Sequence, residues 1–140
     1  MSADYFLDTN VLVYSFDETA PTKRKISEDL IGNTLRSGRG AISWQVVQEF
    51  LNVALHKWDL PMTSSDAAEY MSTTLEPLCS VFPSPSLWRT ALTLQAQSQY
   101  RIYDSLIIAA AIQCGAKTLY SEDLQSGRRF GNLEIRNPFA

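Results

Sequence analysis

Short apolar runs and helical spacings of apolar residues alternate along this chain. The first run, Tyr5-Phe6-Leu7, is typical of a short strand that is buried on both faces of a sheet. After it, apolar residues three and four positions apart over 22–35 predict an amphipathic helix that ends at Ser37-Gly38. Strands that alternate with helices in this way favour right-handed crossovers and a parallel sheet covered by helices on both faces.

Four further strands complete the predicted sheet, over 41–42, 78–82, 118–120 and 133–136. Further helices are predicted from the cap Ser43 to 57, from the cap residues 63–66 to 75, and from the cap Ser86 to 100. The last helix follows Asp104, runs over 105–114 and ends at Gly115. The 140 residues contain no repeat or linker, so we expect a single α/β domain over 1–140.

Charge and cysteine content narrow the class of protein. A formal net charge of −3 gives no general signal for nucleic acid, although carboxylates gathered at one site would leave the remaining surface more basic. Cys79 and Cys114 lack metal-ligand spacing and are expected to be buried thiols of a reducing compartment. The longest apolar run, 106–112, is too short to span a bilayer, so we expect a soluble, cytoplasmic protein.

Four carboxylates occupy positions that such a sheet can bring together. Asp8 and Asp123 each follow a short apolar strand, at the edge where α/β proteins place their chemistry. Asp104 opens a helix, and Glu49 lies within an apolar helix face. Taken singly, each of them could be a helix cap or an exposed residue. Taken as a set, they predict an acidic cluster.

An acidic cluster needs a cation. Two carboxylates about 4 Å apart repel each other by roughly 4 kcal/mol at an effective dielectric of about 20, so a cluster is costly as a purely structural device. The chain has one histidine, His56, and no group of thiols. Oxygen ligands therefore favour Mg²⁺ or Mn²⁺ over zinc as the cofactor.

Four segments contain these carboxylates: FLDTNVLVYSFD, SWQVVQEFLNV, YDSLIIAAAIQCGA and LYSEDLQSGRRFGNLEIRNPF. As a set in this order, they resemble the PIN-domain family and, more narrowly, the VapC-type toxins of bacterial toxin–antitoxin pairs. The resemblance covers nearly the whole chain. It implies a catalytic metal site formed by Asp8, Glu49, Asp104 and Asp123, with Glu122 as a possible fifth ligand. It further implies supporting hydrogen bonds from Thr9, Asn10 and Ser121.

The resemblance also implies a fold, an activity and partners. The fold is a three-layer α/β/α PIN-like arrangement whose five-stranded parallel sheet has the order 3-2-1-4-5, with strands one and four side by side. The activity is Mg²⁺- or Mn²⁺-dependent endoribonuclease cleavage of an RNA such as tRNA or rRNA. Metal-activated water cuts the phosphodiester bond and leaves 5′-phosphate and 3′-hydroxyl ends. The partners are a cognate antitoxin protein and a second copy of the chain, as a homodimer.

Binding of RNA and of an antitoxin would each require further residues. The basic side chains available to hold phosphates are Lys23, Arg24, Lys25, Arg101, Arg128 and Arg129. An antitoxin helix would need an apolar groove. Large apolar side chains for that groove, which could equally be core residues, are Trp44, Trp58, Leu60 and Met62.

Three alternatives remain. A haloacid-dehalogenase-type phosphatase also begins with Asp after a strand, but it needs a second Asp where Asn10 stands and a helical lysine, whereas Lys117 precedes its strand. A catalytically silent PIN-like module that binds nucleic acid would be expected to lack some carboxylates, and none is lost. A DNA-directed nuclease would use the same site, because DNA and RNA present the same phosphodiester.

Overall fold

A mixed six-stranded sheet forms the centre of the protein in a computed structural model that describes residues 2–140. Its strands are β1 (Tyr5–Leu7), β2 (Gly40–Ser43), β3 (Cys79–Val81), β4 (Thr118–Tyr120), β5 (Arg129–Phe130) and β6 (Leu133–Arg136). They lie in the order β3-β2-β1-β4-β6-β5, and every neighbouring pair is parallel except β6 and β5. The predicted order of five parallel strands is confirmed, with β6 as its last strand.

The sixth strand, β5, was not predicted, and it makes the sheet mixed instead of purely parallel. Phe130 pairs with Leu133 in an antiparallel register, so only Gly131-Asn132 connects the two strands. Gly131 has a φ of 61°, a left-handed conformation that glycine adopts readily in such tight turns. Gly-Asn between apolar residues is a hairpin signal. However, β5 has only two residues, too few to show the alternation of a strand.

Seven α-helices connect the strands within residues 2–140. They are α1 (Thr9–Tyr14), α2 (Pro21–Ser37), α3 (Trp44–His56), α4 (Ser64–Tyr70), α5 (Glu76–Leu78), α6 (Pro85–Ser98) and α7 (Ile102–Gln113). A π-helical turn, Met71–Leu75, joins α4 to α5, so the helix predicted to stop at residue 75 continues to Leu78. Pro77, which has no backbone N–H to donate, directly follows the point where the π-helical turn gives way to α5.

Helix α6 begins earlier than predicted. Its cap is Ser84 and not Ser86: the Ser84 hydroxyl accepts a hydrogen bond from the backbone N–H of Leu87 at 3.1 Å. Pro85 then occupies the first helical position, for which its fixed φ is well suited. The prediction failed because both serines can cap a helix, and the preference of proline for the first helical position decides between them.

Both faces of the sheet are covered. Adjacent residues of a strand point to opposite faces, and Phe6 and Leu7 are both fully buried. Ile42, Leu119 and Ile135 on neighbouring strands are fully buried as well. The sheet therefore lies between two layers of helices, in agreement with the predicted three-layer α/β/α architecture.

The cysteines agree with the prediction of free thiols. Cys114 is buried, Cys79 is half-buried, and neither forms a disulfide. Burial raises the pKa of both thiols, which disfavours the reactive thiolate form.

As for membrane spans, the part of the chain that the structure describes contains no helix of sufficient length and hydropathy to cross a bilayer.

Candidate active site

The carboxyl ends of β1 and β4 bring two polar side chains into contact. Leu7 pairs with Tyr120 in this parallel register, so the residues that follow them, Asp8 and Ser121, are neighbours. The Ser121 hydroxyl donates a hydrogen bond to Asp8 Oδ2 at 2.7 Å, and the backbone N–H of Thr9 donates to Oδ1 at 2.7 Å. Asp8 is also the N-cap of α1. Asp8 therefore both caps α1 and lies at the carboxyl edge of the sheet.

The next two residues, Thr9 and Asn10, hold other acidic side chains of the same edge. Thr9 Oγ1 donates to Glu49 Oε1 at 2.6 Å. Asn10 Nδ2 donates to Asp123 Oδ2 at 3.2 Å, and Asn10 Oδ1 accepts from the backbone N–H of Glu122 at 3.3 Å. The start of α1 is thereby tied to α3 on one side and to the segment after β4 on the other.

The four predicted carboxylates line one cleft of about 520 Å³ at this edge of the sheet: Asp8, Glu49, Asp104 and Asp123. Helix α7 begins at Ile102, so Asp104 lies within its first turn and the alternative that Asp104 is the N-cap is wrong. Glu49 is half-buried on α3 and faces the cleft, unlike a fully exposed helical residue. Residues far apart in the sequence are thus brought to one site.

Burial raises the pKa of the Asp8 carboxyl to about 6. The hydrogen bonds from Ser121 and Thr9 favour the charged form, and the charges of Glu49 and Asp123 disfavour it. The sequence led us to expect mutual repulsion as the main cause, whereas burial has the larger effect. An ionised Asp8 is therefore costly to this fold when no cation is bound.

The carboxyl of Asp104 also has a raised pKa. Burial raises the pKa of its carboxyl, the nearby charge of Asp123 raises it further, and Arg101 opposes the change. A carboxyl whose pKa is raised by burial and by a like charge is a common feature of functional sites, although structural networks can also produce it. Two of the four carboxylates thus stand in an environment that disfavours their negative charge.

The chemistry of the cleft fits a hard divalent cation. Carboxylate oxygens are the donors that Mg²⁺ and Mn²⁺ take in proteins. The raised pKa of Asp8 indicates a negative charge that the protein itself does not neutralise. Within residues 2–140, no three His, Cys, Asp or Glu side chains lie close enough together to hold a metal ion as they stand. Ligation would therefore require the carboxylates to move towards the ion.

Glu122, the fifth candidate, lines the cleft but is held by other groups. Its Oε2 pairs with Lys23 Nζ at 2.5 Å, and its Oε1 accepts a hydrogen bond from the Tyr14 hydroxyl at 2.6 Å. These hydrogen bonds hold the pKa of Glu122 below its ordinary value. Because its charge is already compensated within the protein, Glu122 is less suited than the other four to bind a metal ion.

Five of the six basic residues predicted to bind RNA have partners within the protein. The contacts are Lys23 with Glu122, Arg24 with Glu28, Lys25 with Asp29, Arg129 with Glu134, and Arg128 over the rings of Tyr100 and Phe130. Exposed ion pairs of this kind are weak and do not prevent contact with a phosphate. Arg101 differs from the five, because its charge acts on Asp104 in the cleft.

Lys57 was not singled out from the sequence, although it lines the acidic cleft. It is the C-cap of α3, eight residues after Glu49. Its ammonium group forms no ion pair among the residues that the structure describes. A lysine at a helix end resembles ordinary surface charge in a sequence, and only the fold places this one in the lining of the cleft.

The fold and the acidic cleft define an α/β protein with its candidate site at the carboxyl edge of a largely parallel sheet. The PIN domain family matches residues 5–129, which is most of the chain. The chain therefore belongs to the PIN-domain family, and the phosphatase alternative is excluded. Among curated proteins, none matches this chain.

Solved structures with the same fold include toxins of bacterial toxin–antitoxin pairs. A chain of a toxin–antitoxin complex from Klebsiella pneumoniae has a TM-score of 0.71 and 15% identity, covering 96% of this chain and 98% of its own. A chain of VapBC2 from Rickettsia felis, bound to a DNA fragment from its promoter, has a TM-score of 0.68, 21% identity and coverages of 95% and 97%. Mycobacterium tuberculosis VapC20, a sarcin-ricin loop cleaving toxin, has a TM-score of 0.59, 16% identity and coverages of 86% and 90%.

Proposed function

We propose that this protein is a Mg²⁺- or Mn²⁺-dependent endoribonuclease that serves as the toxin of a toxin–antitoxin pair. The observation that carries the proposal is the cleft lined by Asp8, Glu49, Asp104 and Asp123 in a PIN-domain protein. A similar structure, VapC20, is a toxin that cleaves the sarcin-ricin loop, which is an RNA. The proposal extends to structured RNA such as tRNA or rRNA as the substrate class and to the cytoplasm as the place of action.

In the proposed mechanism, the four carboxylates would hold the ion. A bound Mg²⁺ lowers the pKa of water and neutralises charge that develops on the phosphate. Thr9 and Asn10 orient Glu49 and Asp123 through the hydrogen bonds that they donate. Lys57 supplies a positive charge at the cleft for a substrate phosphate. A covalent intermediate is not required.

Purified protein is expected to cut RNA in Mg²⁺ or Mn²⁺ and to leave 5′-phosphate and 3′-hydroxyl ends. Attack by a 2′-hydroxyl would need a positioned acid and base such as a histidine pair, and the chain has a single histidine. End-group analysis of the fragments checks this expectation, with plasmid DNA as a parallel substrate. A 2′,3′-cyclic phosphate, or cleavage that survives EDTA, would contradict it. Preferred cleavage of DNA would favour the DNA-directed alternative, and no cleavage of either would favour the silent binding module.

Lys57→Ala is expected to weaken RNA binding about tenfold, since a hydrogen bond to a charged group contributes about 1.5 kcal/mol or more. It should also lower the slope of log affinity against log salt by about 1, as loss of one phosphate contact does. The matched control is Lys117→Ala, because Lys117 precedes β4 and lies at the opposite edge of the sheet. Titration of a catalytically silenced protein with labelled RNA at several salt concentrations measures both quantities. An unchanged salt slope would rule out the phosphate contact.

An antitoxin partner is proposed because one similar structure is described as a toxin–antitoxin complex and another as VapBC2. Its proposed site is a groove whose lining includes Phe16, Met62 and Tyr70. Leu60, two residues before Met62, has 88% of its surface exposed, so it is available to a partner. Trp58 is instead half-buried and packs against the rings of Phe16 and Phe50 at the side of the core. Of the apolar residues that the sequence suggested for an antitoxin groove, Leu60 is therefore a surface residue, whereas Trp58 packs against the core.

Trp44, the last of the apolar residues suggested for an antitoxin groove, lies in a different groove. It lines this groove together with Phe82, Trp88 and Tyr103, and each of the four side chains has at least 44% of its surface exposed. An exposed patch of large apolar side chains favours association. We therefore propose this patch as the surface of the homodimer. Light scattering at micromolar concentration is expected to give a dimer for the wild type and a monomer for Trp88→Asp, whereas a wild-type monomer would contradict the proposal.

A further inference from the structure

Gln45 connects the acidic cleft to the start of α7. It lies one helical turn before Glu49 on α3 and is half-buried. Its Nε2 donates a hydrogen bond to Glu49 Oε2 at 3.2 Å and another to the backbone carbonyl oxygen of Tyr103 at 3.0 Å. Tyr103 directly precedes Asp104 in the first turn of α7. One amide group thus contacts a carboxylate of the cleft and the backbone beside a second one.

Glu49 is held at both of its oxygens. Thr9 Oγ1 donates to Oε1 at 2.6 Å from the start of α1, and Gln45 Nε2 donates to Oε2 from α3 itself. A glutamate side chain has three rotatable torsions and loses much conformational freedom when it is ordered. Two hydrogen bonds to opposite oxygens order it before any ligand arrives. Of the two donors, Gln45 is the one that also contacts α7.

We propose that Gln45 is a positioning residue that orders Glu49 beside the first turn of α7, which carries Asp104, and so limits the movement that metal ligation requires; the inference rests on the proposed function. Hydrogen-bonding partners that orient metal ligands commonly raise metal affinity, and their loss typically lowers that affinity by about tenfold to a hundredfold. Gln45 is uncharged, so it orients a carboxylate without neutralising it. It contributes no ligand of its own.

The test compares Gln45→Met with Gln48→Met. Methionine approximates the length of glutamine but donates no hydrogen bond. Gln48 is exposed on the same helix and forms no side-chain hydrogen bond among the described residues, so its variant controls for the change of residue type on α3. Three quantities are measured: the dissociation constant for Mn²⁺ without RNA, the Mn²⁺ dependence of RNA cleavage, and the melting temperature in EDTA.

Gln45→Met is expected to raise the Mn²⁺ dissociation constant by about tenfold, and to shift the Mn²⁺ dependence of cleavage by the same factor. The cleavage rate at saturating Mn²⁺ and the melting temperature in EDTA should stay close to the wild-type values. Gln48→Met should match the wild type in all three measurements. This combination separates metal positioning from a purely structural role, because a structural role would lower the melting temperature and leave the metal affinity unchanged.

One result overturns the inference while the proposed function stands, namely an Mn²⁺ dissociation constant for Gln45→Met that equals that of the wild type. If the melting temperature in EDTA falls at the same time, Gln45 is a structural residue only. A wild-type protein that neither binds Mn²⁺ nor cuts RNA would overturn the proposed function together with this inference. The Mn²⁺ titration of the wild type therefore precedes the comparison of variants.

Discussion

Asp8→Asn is expected to lower the rate of RNA cleavage at least about a hundredfold while the protein stays folded. Removal of a residue that merely orients a metal ligand lowers metal affinity or activity by up to about a hundredfold. Removal of a ligand itself should therefore lower the cleavage rate by at least that factor. Asp8 is the carboxylate through which the site is organised, because it lies at the end of β1 and contacts Ser121 across the β1–β4 pair. Asparagine keeps the shape and can still cap α1, but it removes the charge.

Asp29→Asn is the matched control for this loss of one negative charge. Asp29 is exposed on α2, where it pairs with Lys25 away from the cleft. Its variant should cleave RNA at the wild-type rate under the same Mg²⁺ concentration. Initial rates on one labelled RNA, with circular dichroism to verify folding, make the comparison. If Asp8→Asn retained activity, Asp8 would be a helix cap and not part of the catalytic site.

The elements with strong local patterns were predictable from the sequence. Buried strands read as apolar runs, and the carboxyl ends of parallel strands meet at one edge, so Asp8 and Asp123 could be placed near each other without coordinates. Glu49 was harder to place, because a half-buried glutamate on a helix has several ordinary explanations. Its convergence with the aspartates depended on the resemblance to the PIN-domain family as well as on periodicity.

What the sequence did not predict depends on contacts between distant side chains. Glu122 pairs with Lys23, which lies 99 residues earlier, and no local pattern signals that pair. Gln45 contacts the backbone of Tyr103 across 58 residues. Lys57 lies at a helix end whose direction is set by the packing of α3. In each case the chemistry follows from the relative placement of whole elements, which the pattern of apolar positions specifies only in outline.

Asp8 is expected to destabilise the metal-free protein increasingly as the pH rises from about 4 to about 7. Its folded-state pKa is about 6, above the ordinary value of 3.8. A raised carboxyl pKa means that ionisation is less favourable in the folded than in the unfolded state, so the free energy of unfolding falls through this range. The full difference between the two pKa values corresponds to about 3 kcal/mol at pH 7. The cost disappears below the unfolded-state pKa value of 3.8, where Asp8 becomes protonated in both states.

Asp8→Asn should therefore be more stable than the wild type at pH 7 in EDTA, and the difference should become small near pH 4. Mg²⁺ at ten times its dissociation constant should stabilise the wild type by about 1.4 kcal/mol and the variant much less. An aspartate that only caps α1 would give no gain in stability at pH 7 and no response to metal, because asparagine caps a helix about as well as aspartate does. Denaturant unfolding of both proteins at pH 4 and at pH 7, each with EDTA or with Mg²⁺, gives the stability difference between variant and wild type under all four conditions. A variant less stable than the wild type at pH 7 in EDTA would show that hydrogen bonding to the charged carboxylate outweighs its burial.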